Sequence, residues 1–153
     1  MGANTEPLFA LTPNVGRCKI PTTYAQVKSD GTSAGSGADF VVKCFTAGAN
    51  GSYIQRVRFI PVASAAAMNS VATTLRVYLS TVSTPGATTP SDTMLLSEIS
   101  VPLIAVSHST NAVNYYEIPL NMAIPAGTYI HVSQHVAQTT NQQWQASCFG
   151  GDY

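Results

Sequence analysis

Charge is scarce in this sequence: seven Lys and Arg and seven Asp and Glu make up 9% of 153 residues, against about 25% in an ordinary soluble domain. Its exterior must therefore be built mainly from Ser, Thr, Asn, Gln and Gly, a composition common in assembled proteins whose surfaces meet other subunits. The sequence contains no Lys/Arg run and no basic stripe interleaved with aromatics, which argues against direct nucleic-acid binding. No apolar run approaches the roughly 20 residues that a membrane span requires. The opening MGANTEPLFALTPNVG lacks the basic region and apolar stretch of a signal peptide, and Glu6 stands where a myristoylation pattern wants Ser or Thr. Cys18, Cys44 and Cys148 are an odd number with no CxxC spacing, which fits neither a disulfide framework nor a zinc site. Reduced, partly buried thiols are expected.

A chain of this length is suited to one domain, burying roughly 68–70% of its unfolded surface without staples. The formal net charge is zero, but its distribution is lopsided. All seven bases (Arg17, Lys19, Lys28, Lys43, Arg56, Arg58, Arg76) lie at or before position 76, where only Glu6, Asp30 and Asp39 oppose them. Asp92, Glu98, Glu117 and Asp152 follow with no base among them. Interleaved strands would mix these charges over the surface; the sharper reading is complementary faces on neighbouring copies.

Alternation of apolar and polar residues points to strands nearly everywhere. From Tyr53 to Val62, the pattern puts Tyr53, Val57 and Phe59 on one face and Arg56 and Arg58 on the other. Leu75, Val77 and Leu79 alternate with Arg76, Tyr78 and Ser80 in the same way. Further strands are expected over Arg17 to Ile20, Phe40 to Thr46, Met94 to Ile104, Tyr115 to Leu120, Thr128 to Val136 and Gln143 to Phe149, about eight in all. Gly/Pro/Ser/Thr/Asn-rich segments at 29–39, 47–52, 83–93 and 107–114 punctuate them, and Asn50-Gly51 is a tight-turn signal. Only Ala63 to Val71 has helical propensity, enough for one or two turns or a loop with a buried Met68. Pro61, Pro102, Pro119 and Pro125 suit edge positions and bulges, because proline cannot donate to a central ladder. The pattern predicts an all-β fold, an antiparallel β-sandwich of about eight strands arranged as a jelly roll, with an up-and-down barrel as the second choice. Residues 1–16 read as an extended N-terminal arm that orders on a partner, and 17–153 as a single sandwich domain.

The candidate chemical sites are thin. His131 and His135 fall on one face of a strand with Ser133, but four residues of strand separate their Cα atoms by roughly 13 Å, too far to share an ion. They read instead as part of a polar outer face beside Gln134 and Gln138. Cys148, His108 and Asp92 supply triad residue types without a triad motif, and there is no G-x-S-x-G elbow. Gly35-Ser36-Gly37 sits in a loop and not between a strand and a helix, so it is a poor phosphate cradle. Trp144, Tyr115, Tyr116 and Tyr129 offer a carbohydrate-stacking surface; the competing reading places Trp144 and Phe149 in the core or an interface. No catalytic residue, cofactor or metal ligand is assigned, and the chain reads as non-enzymatic. Pro7, Leu8, Phe9 and Leu11 in the arm, together with Trp144 and Tyr153, are the candidate partner-contacting residues.

The stretches VKSDGTSAGSGAD (27–39), TLRVYLS (74–80) and IPAGTYIHVSQHVAQTTNQQW (124–144) resemble small virion proteins encoded among the structural genes of tailed phages and prophages. The resemblance spans most of the chain and carries structural, not catalytic, motifs. It implies a capsid decoration or cement protein that binds the outside of the shell, contacts the major capsid protein and forms a homo-oligomer, typically a trimer. It implies no nucleic-acid or membrane partner. A tail- or fibre-associated module recognising a host-surface glycan is the alternative.

Overall fold

The computed structural model describes residues 10–32, 40–64, 68–84, 89, 91–106 and 114–153. Its strands are β1 (Thr12–Ile20), β2 (Val42–Thr46), β3 (Ser52–Ala63), β4 (Met68–Asn69), β5 (Thr73–Ser80), β6 (Thr93–Val101), β7 (Ala105–Val106), β8 (Tyr116–Ile124), β9 (Tyr129–Gln134) and β10 (Gln142–Asp152). Each of the eight expected strands is present. The two-residue β4 and β7 pair with each other, so Met68–Asn69 is extended where the Ala-rich stretch allowed a helical turn. No helix occurs among the described residues.

The eight long strands form two antiparallel sheets, β1-β10-β3-β8 and β2-β9-β5-β6, which pack as the layers of a β-sandwich. Pairing is nested: β1 with β10, β2 with β9, β3 with β8 and β5 with β6, as though one long hairpin had been rolled up. The pairs β10·β3 and β5·β9 join these hairpins into sheets. Asn50-Gly51 makes the expected turn, with Gly51 at φ +92°. Proline is found where a missing N–H does least harm. Pro119 lies on the edge strand β8, and Pro61 pairs with Trp144 of β10 beyond the point where β8 ends its pairing at Phe59.

Two expectations are corrected. Residues 12–16 are not an arm but the first half of β1, paired in register from Thr12↔Asp152 to Gly16↔Cys148; Pro13 and Gly16 weaken the local strand signal, and tertiary pairing overrides it. Pro7, Leu8 and Phe9 lie outside the described residues. A register shift between Ile54 and Arg56 also flips the faces of β3, so Ile54 joins Val57 and Phe59 in the core while Tyr53 turns outward. A bulge inserts one residue and inverts every alternation beyond it.

The core lies between the sheets. Ile54, Val57, Phe59, Trp144 and Cys148 from one sheet meet Phe45, Leu75, Val77, Ile130 and Val132 from the other. Trp144, the chain's single tryptophan, is 0% exposed, and Tyr116 meets its ring edge-on at 5.9 Å. Where the two sheets meet at β1 and β2, Gly16 allows the closest approach: a Cβ there would stand 2.1 Å from the Cys44 carbonyl oxygen. Gly16→Ala should therefore cost about 2–4 kcal/mol of stability, read as a lower urea midpoint with an unchanged m-value. An unchanged midpoint would show that β1 and β2 do not pack this closely.

Candidate functional site

The outer face of the β1-β10-β3-β8 sheet is open, and its registers place residues in rows across four strands. Val15, Phe149, Arg56 and Pro119 form one row; Arg17, Ser147, Arg58 and Glu117 form the next. Lys19 and Gln145 continue beyond them. Four of the seven cations thus share this face with one carboxylate, Glu117. The guanidinium of Arg56 lies 4.8 Å over the Phe149 ring, and that of Arg58 lies 5.3 Å over the same ring and 4.2 Å over Tyr115. Glu117 Oε1 accepts from Arg58 Nε at 2.7 Å and ion-pairs with Arg56 Nε at 3.2 Å. Each contact is weak by itself at a partly exposed site; together they hold two arginines in fixed planes. Arg17 and Lys19 are exposed and make no ion pair among the described residues.

At the end of this face an open groove of about 530 Å³ runs between Leu11, Pro13, Val15, Tyr53 and Phe149. Leu11 is 69% exposed. The chain's first described residues and its last meet here. Leu11 N–H donates to the Asp152 carbonyl at 2.8 Å, and Tyr153 N–H to that of Gly51 at 3.2 Å. Asp152 fastens the corner: Asn14 Nδ2 donates to both of its carboxylate oxygens, at 2.9 and 3.0 Å, and Ser52 Oγ donates to one of them.

The outer face of the other sheet is covered instead. The segment from Tyr24 to Thr32 crosses it: Gln26 N–H donates to the Gln134 carbonyl at 2.8 Å, and the Gln26 carbonyl accepts from Arg76 Nη1 at 2.8 Å. Gly31, at φ +78°, fits closely against Tyr78 and Thr93, where a Cβ would come within 3.0 Å of the tyrosine ring. Arg76 and Tyr78 lie beneath this segment, and on the same face Ser80, His131 and Ser133 are buried as well. Arg76 Nε donates to Glu98 Oε2 at 3.0 Å, and Ser133 Oγ to Tyr78 Oη at 3.3 Å. The polar face anticipated around His131 and His135 exists, but His131 is 0% exposed and neither of its ring nitrogens makes a hydrogen bond of good geometry among the described residues. Alternation reveals which side of a strand a residue faces. It does not reveal whether a distant loop will cover that side.

The structure separates the four aromatics considered as a stacking platform. Trp144 and Tyr116 pack within the sandwich, Tyr115 stands on the open face under Arg58, and Tyr129 lies beneath Lys43 on the second sheet at 5.3 Å. Trp144 is therefore corrected from contact residue to core residue, since a fully buried ring offers a partner nothing. Leu11 remains at the surface, and Tyr153 is half-buried with its backbone tied to the Asn50–Gly51 turn. Cys148 sits in the core with its pKa pushed up to about 12, chiefly by burial, which keeps the thiol protonated near neutral pH; His108 lies outside the described residues. The three cysteines are free thiols and converge, although nothing in their spacing showed it. A hydrogen bond with the Cys18 thiol raises Cys44 well above the ordinary thiol range, and burial adds to the effect. The Arg–aromatic face also escaped sequence reading, because its members come from four strands whose register is set only by tertiary pairing.

Burial holds the His131 pKa down at about 4, and the nearby Lys43 charge adds to the effect. The folded state therefore resists protonation that the unfolded state accepts near pH 6.5. Stability should be level above that pH and fall as pH drops from about 6.5 to 4, by up to about 3 kcal/mol from this residue. Urea unfolding across that range should show the loss in the wild type and a flatter profile in His131→Gln; equal slopes would mean that this imidazole is solvated.

No protein-family model, curated protein or solved structure matches this chain.

Proposed function

We propose that this chain is a non-enzymatic structural protein of a tailed-phage particle, a decoration or cement protein on the outside of the capsid shell that stabilises contacts between shell subunits. We also read the nested strand order as a jelly roll, an architecture that recurs in viral capsid domains. The observation that carries the proposal is the contrast between the two broad faces. One is crossed by the chain's own Tyr24–Thr32 segment, which covers Arg76 and Tyr78, while the other leaves fixed arginines, aromatic rings and an apolar groove in solvent. Arginine and aromatic side chains are enriched where proteins meet.

The segments that carry the phage resemblance support this reading because they form one unit. TLRVYLS is nearly all of β5, the 124–144 stretch contains its neighbour β9, and Gly31 of the 27–39 stretch packs on Tyr78 between them. Prolines on the edge strands β1 and β8 discourage open-ended strand pairing, which favours association through faces. On this reading the partner is the major capsid protein, and the chain assembles as a homo-oligomer, with a trimer taken from the resemblance. The glycan-binding alternative is not carried forward, since its tryptophan is in the core.

Particles purified from the source phage or induced prophage should contain this chain in many copies, with density outside the shell in electron micrographs. Its absence from purified particles by mass spectrometry would overturn the proposal.

A further inference from the structure

We infer that the outer face of the β1-β10-β3-β8 sheet is the docking surface of this chain, and that the partner it fits is a protein surface bearing clustered carboxylates beside apolar side chains. The inference deepens the proposed function, which it needs only to identify that partner as a shell subunit. Charge complementarity selects the class. Among the described residues, four cations face one carboxylate here, and Glu117 is already engaged by Arg56 and Arg58, leaving Arg17 and Lys19 without an ion pair. Val15, Tyr53, Phe149 and the exposed Leu11 supply the apolar component.

Nucleic acid fits less well. Two of the three rings on this face, Phe149 and Tyr115, are already covered by guanidinium groups, leaving only Tyr53 to stack on a base, and four cations on a chain of zero formal net charge give little of the field that phosphate backbones demand. A second copy is also disfavoured. Two copies meeting through this same face would set cations against cations, and the exposed carboxylates Asp30 and Glu98 lie on the side of the other sheet. The arginines are held in place before binding, which reduces the ordering cost of docking.

The test uses the full chain and two labelled probes, a glutamate-rich peptide containing Leu and Phe and an oligothymidylate, measured by fluorescence anisotropy. The wild type should bind the peptide more tightly than the oligothymidylate and lose affinity as salt rises from about 50 to 300 mM. Arg17→Glu with Lys19→Glu, at exposed positions outside the core, should weaken peptide binding about tenfold or more, while Lys28→Glu on the other side should change it less than about twofold. Failure of the wild type to bind the peptide, unaltered binding by the double variant, or equal or tighter binding of oligothymidylate would each overturn the inference. Purified particles lacking the chain separate this inference from the proposed function. If wild type and double variant both attach equally, the face is wrong and the capsid role stands; if neither attaches but peptide binding still depends on Arg17 and Lys19, the face stands and the capsid role falls.

Discussion

The sandwich depends on the insertion of its last strand between its first and its third. β10 is hydrogen-bonded to β1 on one side and β3 on the other, and its inward residues Trp144, Ala146 and Cys148 are at most 1% exposed. Without it, β1 has no partner in its own sheet and β3 keeps only β8. The same strand carries Asp152, whose carboxylate ties Asn14 of β1 and Ser52 of β3 into one corner. Such pairing joins residues 79 to 140 positions apart, so loop-closure entropy must be overcome before burial compensates it. Completion of the core, the open face and the groove beside the C-terminus all follow from that one event.

The two broad faces then take opposite courses. On the β2-β9-β5-β6 sheet, polar side chains are buried beneath the chain's own Tyr24–Thr32 segment, and most find partners: Arg76 with Glu98 and the Gln26 carbonyl, and Tyr78 with Ser133. Burying polar groups is tolerable when they are hydrogen-bonded and costly when they are not, and His131 falls in the second class. Across the sandwich, the β1-β10-β3-β8 sheet keeps Arg56 and Arg58 partly in solvent, each braced on an aromatic ring. One side of the molecule is thus partly covered by the chain itself, and the other stays open.

Much of the fold was legible because strand alternation is a local property. Leu75, Val77 and Leu79 face the core as their spacing predicts, and the Asn50-Gly51 turn falls where its dipeptide predicts it. The misreadings have physical causes. A single bulge between Ile54 and Arg56 turned Tyr53 outward, and Pro13 and Gly16 disguised half of β1 as an arm. The candidate site was far less legible. Leu11 was recognised as a surface residue, but Trp144 was offered as a contact although it lies in the core, and no local pattern could show that Arg17, Arg56, Arg58, Tyr115 and Phe149 share one face.

By itself the sequence determined an all-β chain, the approximate extent of its eight long strands and an exterior poor in charge, because backbone alternation, turn chemistry and composition act over a few residues at a time. Only the tertiary structure decided which strands are neighbours, which polar face is covered, where three scattered thiols meet and where the cations gather. Those outcomes depend on the register between strands far apart in the chain, and a shift of one residue in that register turns a side chain from core to solvent.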